Sequence, residues 1–141
     1  MAKPEKLAKK QYETLAAFRY ALRRFVHFSE RATETVGLTP QQHQAMLAVK
    51  GFPGRDRVTV GELAERLQLR HHSVVGLVNR MAAENLVERQ MYPPDRRKVI
   101  VHLTTFGEAK LEKLSAMHRR QLKEVGRQLT GLLKRLNDVG A

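Results

Sequence analysis

The stretch MYPPDRRKVIVHLT, Met91 to Thr104, changes character twice. It opens as the end of one alternating apolar run and turns on two prolines and an acid. It then shows two arginines and a lysine and alternates again. Leu86–Met91 and Lys98–Leu103 have the period of two that predicts strands, so with the Pro-Pro-Asp-Arg-Arg turn between them they read as a hairpin. Pro93 and Pro94 cannot donate ladder hydrogen bonds and belong in its tip. Arg96, Arg97 and Lys98 then crowd that tip. Either they only keep a turn solvated, or they meet a polyanion.

The residues before the hairpin favour the second reading. In RHHSVVGLVNRMAAEN the apolar positions Val74, Leu77, Val78 and Met81 fall on one side of a helix. Asn85 follows where the chain needs a left-handed cap, a conformation that Asn tolerates better than most residues. Further back, VTVGELAERLQL predicts a shorter helix with Thr59 as cap, Glu62 three residues on, and Leu63, Ala64 and Leu67 inward. Two short helices joined by about four residues and followed by a hairpin make a winged helix-turn-helix, whose second helix can enter a major groove. The hairpin is the wing, and a cationic tip suits the negative potential of a narrow minor groove.

Outside this centre the pattern is helical. Leu15, Phe18, Leu22 and Phe25 recur at spacings of three and four between about Lys6 and Val36, and Gly37 stops that run. Thr39, Pro40 and Gln42 start another helix with Ala45, Met46 and Val49 inward, ending near Gly51 before the breaker-rich loop GFPGRDR. Within that loop Asp56 and Arg57 form a weak candidate pair. After the hairpin, Thr105 with Glu108 reads as a capping box for a long helix through Leu111, Leu114, Met117, Leu122 and Val125. Gly126 is expected to interrupt or bend it before Leu129, Leu132, Leu133 and Leu136. The fold class is therefore mainly α with a small β-hairpin wing. The two outer apolar stripes exceed what one small core can cover, which predicts a homodimer.

Composition agrees. The chain has 141 residues, 42% of them apolar, and 26 Lys or Arg against 14 Asp or Glu, a formal +12. That excess favours an anionic partner, nucleic acid before a membrane surface. With no cysteine there is no disulfide framework, thiolate zinc site or thiol redox switch. No apolar run of membrane-spanning length occurs, and no apolar block follows the basic start MAKPEKLAKKQYETL, so the expected location is cytoplasmic.

At PPDRRKVIVHLTTFGEAKL, together with VGELAERLQL and HHSVVGLVNRMAAENLVER, the sequence resembles the MarR family of bacterial transcriptional regulators. The resemblance rests on Asp95 and Arg97 in the wing, then Leu103 and Thr104, then Gly107 inside the next helix. It covers nearly the whole chain. It implies a single domain over 1–141: a dimerisation helix over 6–36, a winged helix-turn-helix over 39–103, and C-terminal linking and dimerisation helices over 104–141. It also implies a homodimer on a pseudopalindromic double-stranded operator, nucleoid-associated when bound, and more a repressor than an activator. Two positions depart from the family pattern. Asn85 replaces the glycine usual before the first wing strand, and Gly76 stands where a bulkier contact residue is common.

On DNA, helix position makes Ser73 and His72 the first candidates for base contact, beside Arg70 and His71 at the same helix start. Arg70 and Arg80 suit phosphate, and an outward Val75 suits a thymine methyl. Gly76 allows close approach. In the wing the resemblance makes Asp95 an organiser that fixes Arg97, with Arg96 and Lys98 adding backbone or groove contacts. It further implies a pocket for a small aromatic or anionic effector. His27, Phe28, His43, Met46 and Phe106 are its candidates by position, although the apolar ones read equally well as core.

Two other classes compete. An architectural DNA-binding protein of low sequence preference would explain the charge. An enzyme would need Glu62, Glu65, His71 and His72 gathered on a metal, but their spacing matches no ligand motif and no nucleophile with a base is evident. Neither a cofactor nor a metal is expected.

Overall fold

The computed structural model describes residues 3–92 and 95–138; for residues 92 and 95–97 it describes the backbone alone. The described elements run, in order, α1 (Lys9–Glu34), α2 (Pro40–Lys50), β1 (Arg57–Thr59), α3 (Val60–Leu67), α4 (His71–Ala83), β2 (Val87–Tyr92), β3 (Asp95–Leu103) and α5 (Thr105–Asp138). The strands form one antiparallel sheet in the order β1-β3-β2. The architecture is mostly helical with a small sheet, a winged helix. Its contacts define two compact units: a helical unit up to Arg31 and from Ala116 on, and a winged unit of Ala32–Ser115.

In the winged unit the inward residues predicted for α2, α3 and α4 form the core. Met46, Leu63, Leu77, Val78 and Met81 are all under 3% exposed. Each such side chain removed from water contributes about 1.5–3 kcal/mol. Val58 pairs with Val101, and Val87 with Leu103, so one face of the sheet closes over that core. In the helical unit, Ala21, Val125 and Leu132 are buried. There His118 Nε2 lies 2.7 Å from Ser29 Oγ, with the Phe25 and Phe28 rings edge-on at 6.0 and 5.7 Å.

Three helices end the same way. Gly37, Gln68 and Asn85 all have positive φ, at 73°, 54° and 61°. Past each of them a backbone N–H returns to a carbonyl five residues back: Leu38 to Thr33, Leu69 to Ala64, Leu86 to Met81. This is the left-handed stop that satisfies the last carbonyls. Two of the three predicted capping boxes, Thr39 with Gln42 and Thr59 with Glu62, are formed.

Three expectations need correction. The cap of α5 is Thr104, whose Oγ1 accepts from Gly107 N–H at 2.9 Å, while Glu108 turns to Lys50 at 3.0 Å. Thr104 takes the role because its backbone and hydroxyl are already fixed by Asn85 and Leu86. Gly126 does not interrupt α5, which runs 34 residues; a single glycine costs a helix only about 1 kcal/mol. Finally, β3 starts at Asp95, so Asp95, Arg96 and Arg97 have strand backbone and do not belong to the turn. The pairing shifts register between Met91 and Tyr92, which lets the ladder continue past the point where strict alternation would end it.

Gly107 is the tightest point of the winged unit. A Cβ there would lie 2.2 Å from the Leu86 carbonyl oxygen. Gly107→Ala must therefore push α5 off the β2 start and should cost about 3 kcal/mol, the upper end for overpacking. Asn85→Gly, which keeps the left-handed turn, should change stability by only a few tenths of that, whereas Asn85→Val should cost about 1–2 kcal/mol. Urea unfolding checks all three. A loss below about 1 kcal/mol for Gly107→Ala would show that the contact yields easily.

Candidate nucleic-acid interface

Helix α4 begins at His71 with Arg70 as a cap residue in extended conformation. No side chain caps it and no acid occupies its first turn. The positive end of the helix, with its free N–H groups, is thus left for an outside anion. Arg70, His71, His72, Ser73 and Arg80 are all exposed. Val75 is 37% exposed, so it does face out, on the flank of the side that buries Val74 and Val78. Around the helix, at about 100° per residue, His72, Gly76 and Asn79 share the side away from the core. A Cβ on Gly76 would meet only Arg80 Nη1 at 3.8 Å, an ordinary contact. Packing within the chain does not demand glycine there.

Two side-chain pairs that the sequence did not announce tie the sheet to this helix and to itself. Arg89 Nη1 donates to Asn79 Oδ1. Arg89 lies opposite Val101 in the ladder and shares its face, the face that covers α4, so the side chain reaches the helix and not the solvent side. On the other face His102 Nε2 meets Glu88 Oε2 at 3.1 Å across the same ladder. Strand alternation could have placed Arg89 beside α4, but its partner needs the helix roll, which no sequence pattern supplies.

In the wing, Lys98 is exposed. The side chains of Asp95, Arg96 and Arg97 lie outside the described residues, so the Asp95–Arg97 pair stays an expectation. Asp56 and Arg57 sit 3.6 Å apart, both largely in solvent. Among the described residues no three His, Asp or Glu stand close enough to hold a metal ion, and Glu62, Glu65, His71 and His72 are not gathered. Of the effector candidates, His27 and Phe28 line one depression of the helical unit with Arg23, Arg24, Arg31 and Gln121. In the winged unit Met46 is fully buried and His43 nearly so, while Phe106 is 47% exposed with Lys110 Nζ 4.8 Å from its ring. No described helix is long and apolar enough to cross a membrane.

Helix α3, which carries α4 through the turn at Gln68, is pinned at its start. Glu62 accepts from Thr59 N–H at 2.9 Å and from the Arg55 guanidinium, which also covers the Phe52 ring at 4.4 Å. Arg66 covers the same ring at 4.9 Å. Partial burial pushes the Glu62 carboxyl up, but the Thr59 and Arg55 hydrogen bonds outweigh it and hold the group below its ordinary value.

The description MarR family belongs to the family model that matches residues 36–98. The chain is 28% identical over 120 residues to the putative transcriptional regulatory protein for the hcr operon of Thauera aromatica, covering 79% of this chain and 70% of that protein. It is 32% identical over 75 residues to the HTH-type transcriptional repressor YetL of Bacillus subtilis (strain 168), covering 52% of this chain but only 45% of that one. In structure it is similar to AbsC, a MarR family transcriptional regulator from Streptomyces coelicolor, with a TM-score of 0.75 at 22% identity over 94% of this chain and 93% of AbsC. That likeness establishes the fold.

The lowered Glu62 pKa gives a signed pH test. Its contribution to stability is present above the ordinary carboxylate range and is lost as pH falls through the lowered folded value. Glu62→Gln keeps the capping geometry but removes the charge paired with Arg55. At neutral pH it should cost roughly 0.5 kcal/mol, small because the pair is largely exposed. The gap to the parent should close on acidification. A constant gap from neutral to acid would show that the charge contributes nothing.

Proposed function

From the match of residues 36–98 to the MarR family model, we propose that the chain is a MarR-family transcriptional regulator that reads a pseudopalindromic operator as a homodimer, and that it represses. The observation that carries the reading is the start of α4, which is exposed, uncapped and free of acid, and flanked by a wing strand whose Arg89 holds Asn79 of the same helix. His72 and Ser73 take base edges; Arg70 and Arg80 take phosphate; Val75 takes a thymine methyl. Arg96, Arg97 and Lys98 extend the contact from the wing, with Asp95 as the organiser of Arg97. The repressor reading draws support from the name of the relative YetL. Dimerisation draws support from Leu15, Val26, Leu122 and Leu133, which the single chain leaves 40–51% exposed. Release by a small aromatic anion would use Phe28 and His27 in their arginine-lined depression.

Selection from random duplexes by the purified protein tests the whole reading. Two symmetric half-sites about one helical turn apart are expected. A single asymmetric site would remove the dimer, and enrichment of no sequence would leave an architectural protein instead. On the selected duplex, Ser73→Ala and His72→Ala should each change the preferred base at a half-site position. Arg80→Ala should weaken all duplexes alike and lower the salt slope by about one unit.

The wing gives a sharper test. Arg97→Ala should weaken binding by roughly 1–3 kcal/mol. Asp95→Asn removes a negative charge, so simple electrostatics predicts tighter binding, whereas loss of the organiser predicts weaker binding. Duplex titration at fixed salt separates the two, and tighter binding by Asp95→Asn would end the argument for an ordered pair.

A further inference from the structure

The charge is not where the winged reading would put it. The helical unit holds 14 Lys or Arg against 5 Asp or Glu, and the winged unit 12 against 9. Most of the net +12 therefore belongs to the unit that carries neither α4 nor the wing. Within it, α1 presents Arg19, Arg23, His27 and Arg31 at successive steps of four residues, all exposed. Side chains at that spacing are neighbours on one helix face, and like charges there destabilise the helix. Arg19 and Arg23 have no acid three or four residues away in either direction. Arg24, beside the ladder, lies 5.8 Å from the Tyr20 ring centre.

Glu30 and Glu34 stand three residues after His27 and Arg31, but the Arg19–Arg23 pair has no such acid, and an uncompensated pair at the head of a row of basic side chains suits an anion with repeated charge. The ladder spans about 18 Å, near the axial length of about five phosphate-to-phosphate steps on one strand of a duplex. A second copy is the poorer occupant, because it brings another strongly positive helical unit to the same place. The exposed apolar residues Leu15 and Val26 occupy the neighbouring sector of α1 and are the ones suited to a copy. We propose that the Arg19–Arg23–His27–Arg31 ladder is a DNA-backbone track, independent of sequence and separate from α4 and the wing. It binds the phosphates of duplex DNA as point charges.

The test compares two full-length variants of equal charge loss. One is Arg19→Gln/Arg23→Gln/Arg31→Gln; the other is Arg119→Gln/Arg120→Gln/Lys123→Gln, at exposed positions of α5. Binding of a random-sequence duplex is measured across a salt series, and sedimentation equilibrium is run on each protein. The ladder variant should lose about two to three units of slope in log affinity against log salt, and the α5 variant less than one. Arg→Lys at the three ladder positions should retain the slope. Equal losses in both Gln variants would reduce the effect to net charge and overturn the proposal. An unchanged slope with a changed mass would make the ladder a contact between copies. Arg23, His27 and Arg31 also line the depression offered above to an effector, so an unchanged slope with a lost response to a small aromatic carboxylate would leave them to the effector alone. Either result overturns it. Failure of the winged reading is seen separately, as loss of sequence preference with the random-duplex slope intact.

Discussion

The Leu86 carbonyl oxygen is the point on which the geometry of the winged unit depends. It accepts from Thr104 N–H at 3.1 Å and Thr104 Oγ1 at 3.2 Å, and Gly107 passes so close that no side chain fits between. Thr104 Oγ1 also reaches the Asn85 carbonyl at 2.6 Å and accepts from Gly107 N–H at 2.9 Å. One hydroxyl thus serves the end of α4, the start of β2 and the first turn of α5. Asn85 in its left-handed turn aims the chain into that knot. Helix α4, the wing and the first turn of α5 leave it in fixed directions because backbone, and not a long flexible side chain, makes the contact.

Under the proposed function that rigidity matters. A helix that enters a groove must keep its roll, because a base contact is lost over a fraction of an ångström while a phosphate contact is forgiving. Arg89 adds to the constraint from the other end of β2. Its guanidinium takes up the Asn79 oxygen and leaves the amide N–H groups of Asn79 facing away from it. Because an arginine has five donors, Arg89 keeps hydrogen-bonding capacity beyond Asn79. On the opposite face of the ladder Glu88 and His102 pair with each other, which keeps that carboxylate engaged within the sheet.

What could be read in the sequence was what is encoded locally. Thr39 and Thr59 announce their helices because the cap and its partner lie three residues apart. Val74, Leu77, Val78 and Met81 announce the buried side of α4 by spacing alone, and Asn85 announces a left-handed turn because few residues accept one. Gln68 adopts the same conformation at 54° with nothing in its chemistry to advertise it; tertiary packing of α3 on α4 imposes the turn there. Thr104 and Thr105 are adjacent and equally able to cap. The choice falls on Thr104 through carbonyls 18 and 19 residues away in sequence. The Asn79–Arg89 pair likewise joins two elements whose relative roll is set by packing.

Charge shows the same division between what is counted and what is placed. The composition directs attention to a polyanion, and the wing tip, with three consecutive cations at Arg96, Arg97 and Lys98, is the obvious place to locate it. The winged unit nevertheless nearly balances its charges, partly through pairs such as Lys50–Glu108 and Arg55–Glu62. A balanced surface with a few placed cations limits indiscriminate attraction and leaves discrimination to base edges. An unbalanced surface does the reverse, since phosphate attraction is the same for every sequence. Net charge is therefore a statement about how strongly a chain can hold nucleic acid. How selectively it does so depends on which cations are tied up, and only the fold reveals that.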